Sequence, residues 1–229
     1  MNVVKQTDLA KVTYDLFTAP GGPNSINNED DAEESVQYCL PAIKKSADKY
    51  AGFVVACYSA HPLTGILRKE YPDKPSVGIF ETSVTMALSV CGQSRTDQGP
   101  QGTWGIVTTG KVWETLLTNA VQVMLALPSD TKAERANSGR FAGVQSTGLN
   151  ASELHDADPA DVRKRLTKAT EALLATSKNG VELKAVVLGC AGMAELEMVV
   201  REVVPKDVKV VDGVKAAFCT VASLILSKV

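Results

Sequence analysis

The sequence predicts an α/β protein made of two similar parallel-sheet lobes, flavodoxin-like or Rossmann-like, with its chemistry in the cleft between them. The first observation is alternation. From Val12 onward, short apolar runs and helical stretches follow one another strictly, which is the pattern of parallel strands joined by crossover helices. The second is duplication. Gly52-Phe-Val-Val-Ala-Cys57 is followed by Lys74-Pro-Ser-Val-Gly-Ile-Phe-Glu81, and Ala185-Val-Val-Leu-Gly-Cys190 by Asp207-Val-Lys-Val-Val-Asp212. Each copy is a strand ended by a cysteine, a crossover, and a strand closed by an acid, 24 residues on in the first copy and 22 in the second. A small-residue apolar stretch follows each acid, Thr82 to Cys91 and Gly213 to Leu226. Ligands of open parallel sheets bind beyond the carboxyl ends of the strands, so both thiols are expected at clefts. By fold analogy, a pseudo-twofold axis would merge the clefts and set the sulfurs on opposite sides of one bound molecule.

In chain order, Val12, Tyr14 and Leu16 alternate with Thr13, Asp15 and Phe17 as a short strand before the turn Pro20-Gly-Gly-Pro23. Gly21-Gly22 reads as a turn at the cleft mouth, because the Gly-Lys-Ser/Thr ending of a phosphate loop is missing. Asn27, Asn28 and the acids Glu29 to Asp31 start a helix, since an Asn side chain and negative charge both complement exposed N–H groups. That helix is expected to break or kink at Pro41. Gly92 to Gly102 reads as a polar link, Thr103 to Thr109 as a strand, Lys111 to Leu127 as a helix and Ser129 to Gly139 as a loop. Asp158-Pro159 opens a helix to Lys178, with Val162, Leu166, Ala169, Leu173 and Leu174 on one face. The expected division is lobe one over residues 1–95, lobe two over 96–212, and a last helix over 213–229 packed back on lobe one.

Composition narrows the function classes. The 229 residues, 45% apolar and 22% charged, can bury a sizeable core. A formal net charge of −2 with interspersed signs gives no footprint for nucleic acid or an anionic membrane surface. The N-terminus Met1 to Lys11 lacks an apolar signal core and no run is long enough to span a bilayer. A soluble cytoplasmic protein is expected. Five cysteines without close pairs argue against a disulfide scaffold and fit a reducing compartment. With only His61 and His155 and no Cys-x-x-Cys, a four-ligand zinc site is not expected. Cys39, Cys91 and Cys219 lie on helical stretches among apolar neighbours, where packing accounts for them.

Several segments carry a family resemblance: Pro20-Gly-Gly-Pro-Asn-Ser-Ile26, Val54-Val-Ala-Cys-Tyr-Ser-Ala-His-Pro62, Gly78-Ile-Phe-Glu81, Ile106-Val-Thr-Thr109, Val187-Leu-Gly-Cys-Ala-Gly-Met193 and Val211-Asp-Gly-Val214. With these the chain resembles the aspartate/glutamate/hydantoin racemase superfamily, most closely its hydantoin and allantoin racemase branch. The resemblance spans roughly residue 12 to the C-terminus. It implies cofactor-independent racemisation of a small molecule by a cysteine pair, here Cys57 and Cys190, in a homo-oligomer. It also implies that hydroxyls and main-chain groups at Ser59, Thr108 and Thr109 lie around the ligand.

Two departures stand out. Many bacterial members have an acid-containing Cys-x-x-Asp-Pro segment where this chain has Ser59-Ala-His-Pro62. Family members usually open with a strand of the type Ile-Leu-Val-Ile-Asn-Pro-Asn-Ser/Thr, whose loop contributes to the active site. No counterpart occurs here, and the first eleven residues read as the tail of a helix. The expectation is a first lobe without its leading strand and one pocket wall.

Inverting a carbon acid requires a base on one face and an acid on the other, which a thiolate facing a thiol supplies. Both cysteines precede helix starts, and a helix N-terminus lowers a thiol pKa. The backbone N–H groups of Ser59 and Ala60, and of Ala191 and Gly192, are candidates to bind the oxygen on which enolate charge grows. His61, four residues after Cys57, offers either tuning of that thiol or a Cys–His pair, though no third group orients it. Thr108 and Thr109 either end a strand or touch ligand, and Glu81 and Asp212 either cap helices or touch substrate. Two rivals stand beside the racemase: a decarboxylase or cis–trans isomerase of the same superfamily, and a catalytically silent ligand-binding protein.

Overall fold

The computed structural model describes residues 12–92, 102–126, 140–176 and 181–227. Most of the link after Gly92 and the loop from Ser129 to Gly139 lie outside the described residues. Helix α1 spans Glu29–Lys44. The Asn28 side chain accepts the Asp31 N–H at 2.8 Å, while the Asp31 carboxylate accepts the Asn27 N–H at 2.8 Å. Three acids fill its first turn, where they complement the helix dipole. Pro41 does not end it. The helix continues to Lys44 because Leu40 and Ile43 pack with the cluster of Val55, Leu63 and Leu67, which holds the last turn despite the lost N–H.

The expected strand over Val12 to Leu16 does not form. Residues 12–19 have no ladder partner, and Tyr14, Leu16 and Phe17 are exposed. Alternation makes a strand only where a sheet edge takes the backbone and a core takes the side chains. Here Tyr14 instead lies edge-on to Phe218 at 5.5 Å, and Asp15 accepts the Tyr50 hydroxyl at 3.1 Å.

The first repeated unit runs β1 (Phe53–Val55), α2 (Pro62–Glu70), β2 (Ser76–Gly78) and α3 (Ile79–Val90). Strands β1 and β2 pair in parallel, Val54 opposite Val77. Next come β3 (Thr103–Thr108), α4 (Val112–Met124), β4 (Phe141–Ser146), a one-turn helix α5 (Glu153–Asp156) and α6 (Pro159–Leu174). The second unit runs β5 (Leu183–Gly189), a 3-10 turn (Ala191–Leu196), α7 (Glu197–Val203), β6 (Lys209–Asp212) and α8 (Gly213–Ser227). The second sheet is wholly parallel in the order β4-β3-β5-β6. The chain is thus α/β with two parallel sheets, and the strand, cysteine, helix, strand, helix order repeats as the sequence implies.

Strand β4 is absent from the sequence-based reading. It lies at the sheet edge, Val144 is its one buried residue, and Gly143 takes a left-handed φ of 107°, so neither alternation nor a continuous apolar run marks it. On the second sheet the alternation of strand side chains separates two cores. Ile106, Ala185, Val187 and Val211 face α3, α4 and α8, while Val107, Val186, Leu188 and Val210 face α6 and α7. Asp158 accepts the Ala160 N–H at 3.1 Å to open α6, and Val162, Leu166, Ala169 and Leu173 are buried on its inner face. Thr170 joins them and donates to the Leu166 carbonyl, while Leu174 is only half-buried.

Helices α3 and α8, each following the second strand of its unit, pack against each other, and both touch strands of both sheets. Their apolar sides meet both sheets, while Met86 and Val90 of α3 and Cys219 of α8 are exposed. At their starts the backbones nearly touch: a Cβ on Gly213 would lie 2.9 Å from the Ile79 carbonyl oxygen. Only a glycine fits there. Among the described residues no helix is long and apolar enough to cross a membrane.

Candidate active site

Cys57 stands two residues beyond β1 and Cys190 directly after β5, so both thiols sit at carboxyl ends of parallel strands. Both are partly buried. The Cys57 turn is closed by the Ser59 N–H, which donates to the Cys57 carbonyl at 3.1 Å, and the Ser59 hydroxyl lies 3.5 Å from the Cys57 sulfur. Cys190 is extended and opens the 3-10 turn. The Met193 N–H closes that turn on the Cys190 carbonyl at 3.1 Å, and the Gly192 and Met193 N–H groups both bear on its sulfur.

Electrostatics corrects the expectation of thiols lowered by helix N-termini. Burial pushes Cys57 up to about 11; the Ser59 hydroxyl offsets part of this and the charge of Cys190 adds to it. Burial likewise raises Cys190, partly offset by the two N–H groups. Desolvation of a thiolate outweighs the local donors at both sites. Helix α2 does not reach Cys57, since it starts at Pro62 and its cap is already filled. The charge of Cys190 is the least of the influences on Cys57, behind burial and the Ser59 hydroxyl.

The cap of α2 is His61, which is buried. Its Nδ1 accepts the Leu63 N–H at 3.2 Å and its Nε2 lies 3.1 Å from the Ser35 hydroxyl, which donates to the Ala32 carbonyl at 2.8 Å. The only consistent assignment is a neutral ring protonated at Nε2 and donating to Ser35. Burial holds its pKa below the ordinary histidine value. Both nitrogens are committed away from Cys57, so the Cys–His pair offered by the spacing does not form.

The remaining sequence candidates divide by what they bond. The Thr108 hydroxyl is fully buried and donates to the Gly189 carbonyl at 2.8 Å, which ties β3 to the residue before Cys190. Thr109 is buried beside it, and its carbonyl accepts the Thr147 hydroxyl and the Gly148 N–H. Asp212 caps α8, accepting the Val214 N–H at 2.8 Å and the Lys215 N–H at 3.2 Å. Glu81 lies in the first turn of α3 with one oxygen 4.0 Å from Arg68; the other is buried without a partner among the described residues. The Ser59 N–H is used in its turn, and Ala60 and Ala191 are the main-chain donors beside the two cysteines. Ser59 and Ala60 also line a cavity of about 280 Å³ walled by Glu29 and Glu33 of α1 and by Trp113 and Leu117 of α4.

One residue beside the site escapes the sequence reading. A Cβ placed on Gly192 would lie 3.0 Å from His155 Nε2 and 3.8 Å from the Cys190 sulfur, so imidazole and thiol flank the same small space. His155 stands 35 residues before Cys190 with no periodic or motif signal to join them. Of the other cysteines, Cys39 and Cys91 are raised by burial, and Cys219 is exposed on α8 rather than packed.

Known proteins agree with this architecture. An uncharacterized protein of Schizosaccharomyces pombe is 32% identical over 210 residues, covering 92% of this chain and 78% of its own length. A hydantoin racemase of Rhizobium meliloti is 29% identical over 196 residues, covering 85% and 69%. The solved allantoin racemase from Klebsiella pneumoniae superposes with a TM-score of 0.65 at 24% identity, over 91% of this chain and 74% of that one. A family model described as Asp/Glu/Hydantoin racemase matches residues 2–221, and this chain, with its twice-built cysteine unit and two parallel sheets, belongs to that family of isomerases.

Proposed function

We propose that the protein racemises a cyclic ureide, a hydantoin or allantoin, by moving one proton between the two faces of its C5 carbon through Cys57 and Cys190, without a cofactor. The observation that supports this reading is the placement of Cys57 and Cys190 at the carboxyl ends of corresponding parallel strands, one thiol from each copy of the repeated unit. A thiolate on one side takes the C5 proton, and the C–H electrons pass into an enolate whose oxygen gains charge. The thiol on the other side then gives its proton to the opposite face and is left as thiolate. Roles exchange with the other enantiomer.

The main-chain donors at Ala60 and Ala191 are suited to the enolate oxygen, where charge develops only in the reaction. Residues 1–95 and 96–212 serve as the two lobes around the cleft, and the last helix, over 213–229, packs on the first. A homo-oligomeric state, implied by the family resemblance, and a cytoplasmic location, expected from the unpaired cysteines, extend the reading. Proton NMR in D2O tests it, with enantiopure allantoin and a panel of 5-substituted hydantoins and the spontaneous rate subtracted. The expected result is loss of the C5 proton signal together with optical rotation, abolished in Cys57→Ala and in Cys190→Ala. Exchange no faster than the blank across the panel would overturn it.

A further inference from the structure

We infer that His155 is the base that draws the proton from Cys190 and so prepares one of the two thiols for chemistry. The inference rests on the two-thiol reading above for its purpose, though its geometry is independent of any substrate.

His155 lies on α5, and its neighbour Leu154 is buried in the same cluster as Met193, the residue that closes the Cys190 turn. The short helix is therefore fixed against the cysteine turn by shared packing, while the His155 side chain itself is exposed. Gly192 separates the imidazole from the thiol and supplies no side chain. A Cβ there would press on His155 Nε2 at 3.0 Å, on Leu154 Cδ1 at 3.4 Å and on Cys190 Sγ at 3.8 Å. The glycine keeps open the space through which ring and sulfur, or one water between them, can meet. The other histidine is unsuited to the task, since both His61 nitrogens are bound.

Cys57 and Cys190 are thus served differently. Cys57 has a neutral hydroxyl beside it, which can hydrogen-bond the sulfur but takes no proton away. Cys190 has main-chain N–H donors that steady the anion and, across Gly192, a group that can accept the proton. In the step itself the Cys190 S–H bond breaks and its electron pair stays on sulfur. The proton passes to the His155 Nε2 lone pair, leaving a thiolate and an imidazolium. The thiolate takes the substrate proton, Cys57 delivers its own to the opposite face, and the imidazolium remains as counter-charge to the one thiolate in the site.

The test reads thiol reactivity and needs no substrate. Iodoacetamide labelling at neutral pH, resolved by peptide mass spectrometry in a Cys219→Ser background, gives separate rates for Cys190 and Cys57. In His155→Ala the Cys190 rate is expected to fall about tenfold or more with the Cys57 rate unchanged, and added imidazole should restore it. Removing the ring also uncovers Cys190, so a merely steric role would raise the rate instead. Gly192→Ala, which keeps His155 but fills the space, should slow Cys190 in the same way without imidazole rescue. An unchanged or faster Cys190 rate in His155→Ala, or an equal fall at both cysteines, would overturn the inference. Failure of the NMR exchange assay with the labelling effect intact would remove the racemase reading and leave the His155–Cys190 pair standing.

Discussion

The Thr108 hydroxyl donates a 2.8 Å hydrogen bond to the carbonyl of Gly189, one residue before Cys190, from a fully buried position at the end of the neighbouring strand. Thr108 also pairs in register with Gly189 and with Ser146, so it sits where three strands end together. A residue expected to touch either ligand or strand end thus fixes the backbone that carries a thiol. Thr108→Val keeps the shape but leaves a buried carbonyl short of a partner, at a cost of about 1–3 kcal/mol. Urea denaturation should show that loss, and substrate exchange should drop further than the unfolded fraction explains. Unaltered stability would mean the bond is not needed.

His61 sets an acid limit. Its pKa is lowered by burial from 6.5, so the folded state prefers the neutral ring. The stability this contributes is complete above the ordinary histidine value and is lost as pH falls below it, because the unfolded chain then binds the extra proton. Protonation also removes the acceptor for the Leu63 N–H. The melting temperature should decline between about pH 7 and pH 5, and His61→Asn, which retains a capping oxygen, should flatten that decline. Parallel curves for both proteins would refute the assignment.

Cys57 sets an alkaline limit of opposite sign. Its pKa is raised from 9.0 to about 11, so its contribution is intact below 9.0 and is lost as pH rises toward 11, where the buried thiol ionises. Comparing wild type with Cys57→Ala should therefore show a stability difference that shifts against the wild type across that interval. A constant difference from neutral pH upward would count against a buried, raised thiol.

Alkylation should begin at Cys219, which is exposed, and not at the cleft cysteines as low-pKa thiols would require. Cys91, buried and raised, should be among the slowest. Peptide-resolved labelling over time reads the order directly, and a first reaction at Cys57 would show that its thiolate is far more accessible than its burial implies.

Asp212 holds the start of α8, the helix that touches both sheets. Asp212→Ala removes an acceptor for two N–H groups and should cost about 0.5–2 kcal/mol. Since α8 packs on α3 and on strands of both sheets, the loss should appear as one earlier cooperative transition by both circular dichroism and tryptophan fluorescence. Two separated transitions would mean that the sheets unfold independently.

The sequence by itself determined the repeated unit, the parallel class and the places of Cys57 and Cys190 at strand ends, because each follows from local periodicity and from where an apolar run stops. It likewise determined the caps at Asn28 and Asp158, whose side chains act within three residues of themselves. What it could not decide depended on contacts distant in the chain. Val12 to Leu16 has a strand pattern but pairs with no strand, while β4 pairs at a sheet edge with little pattern. The sequence admitted helix-lowered thiols, whereas burial in the folded chain raised them. His61 looked like a partner for Cys57 and instead caps a helix through the Leu63 N–H, while its other nitrogen bonds Ser35, 26 residues away. His155 reached the Cys190 turn only because α5 and that turn share one core. Hydrogen-bond partners and desolvation are properties of the space around a group, and packing alone fills that space.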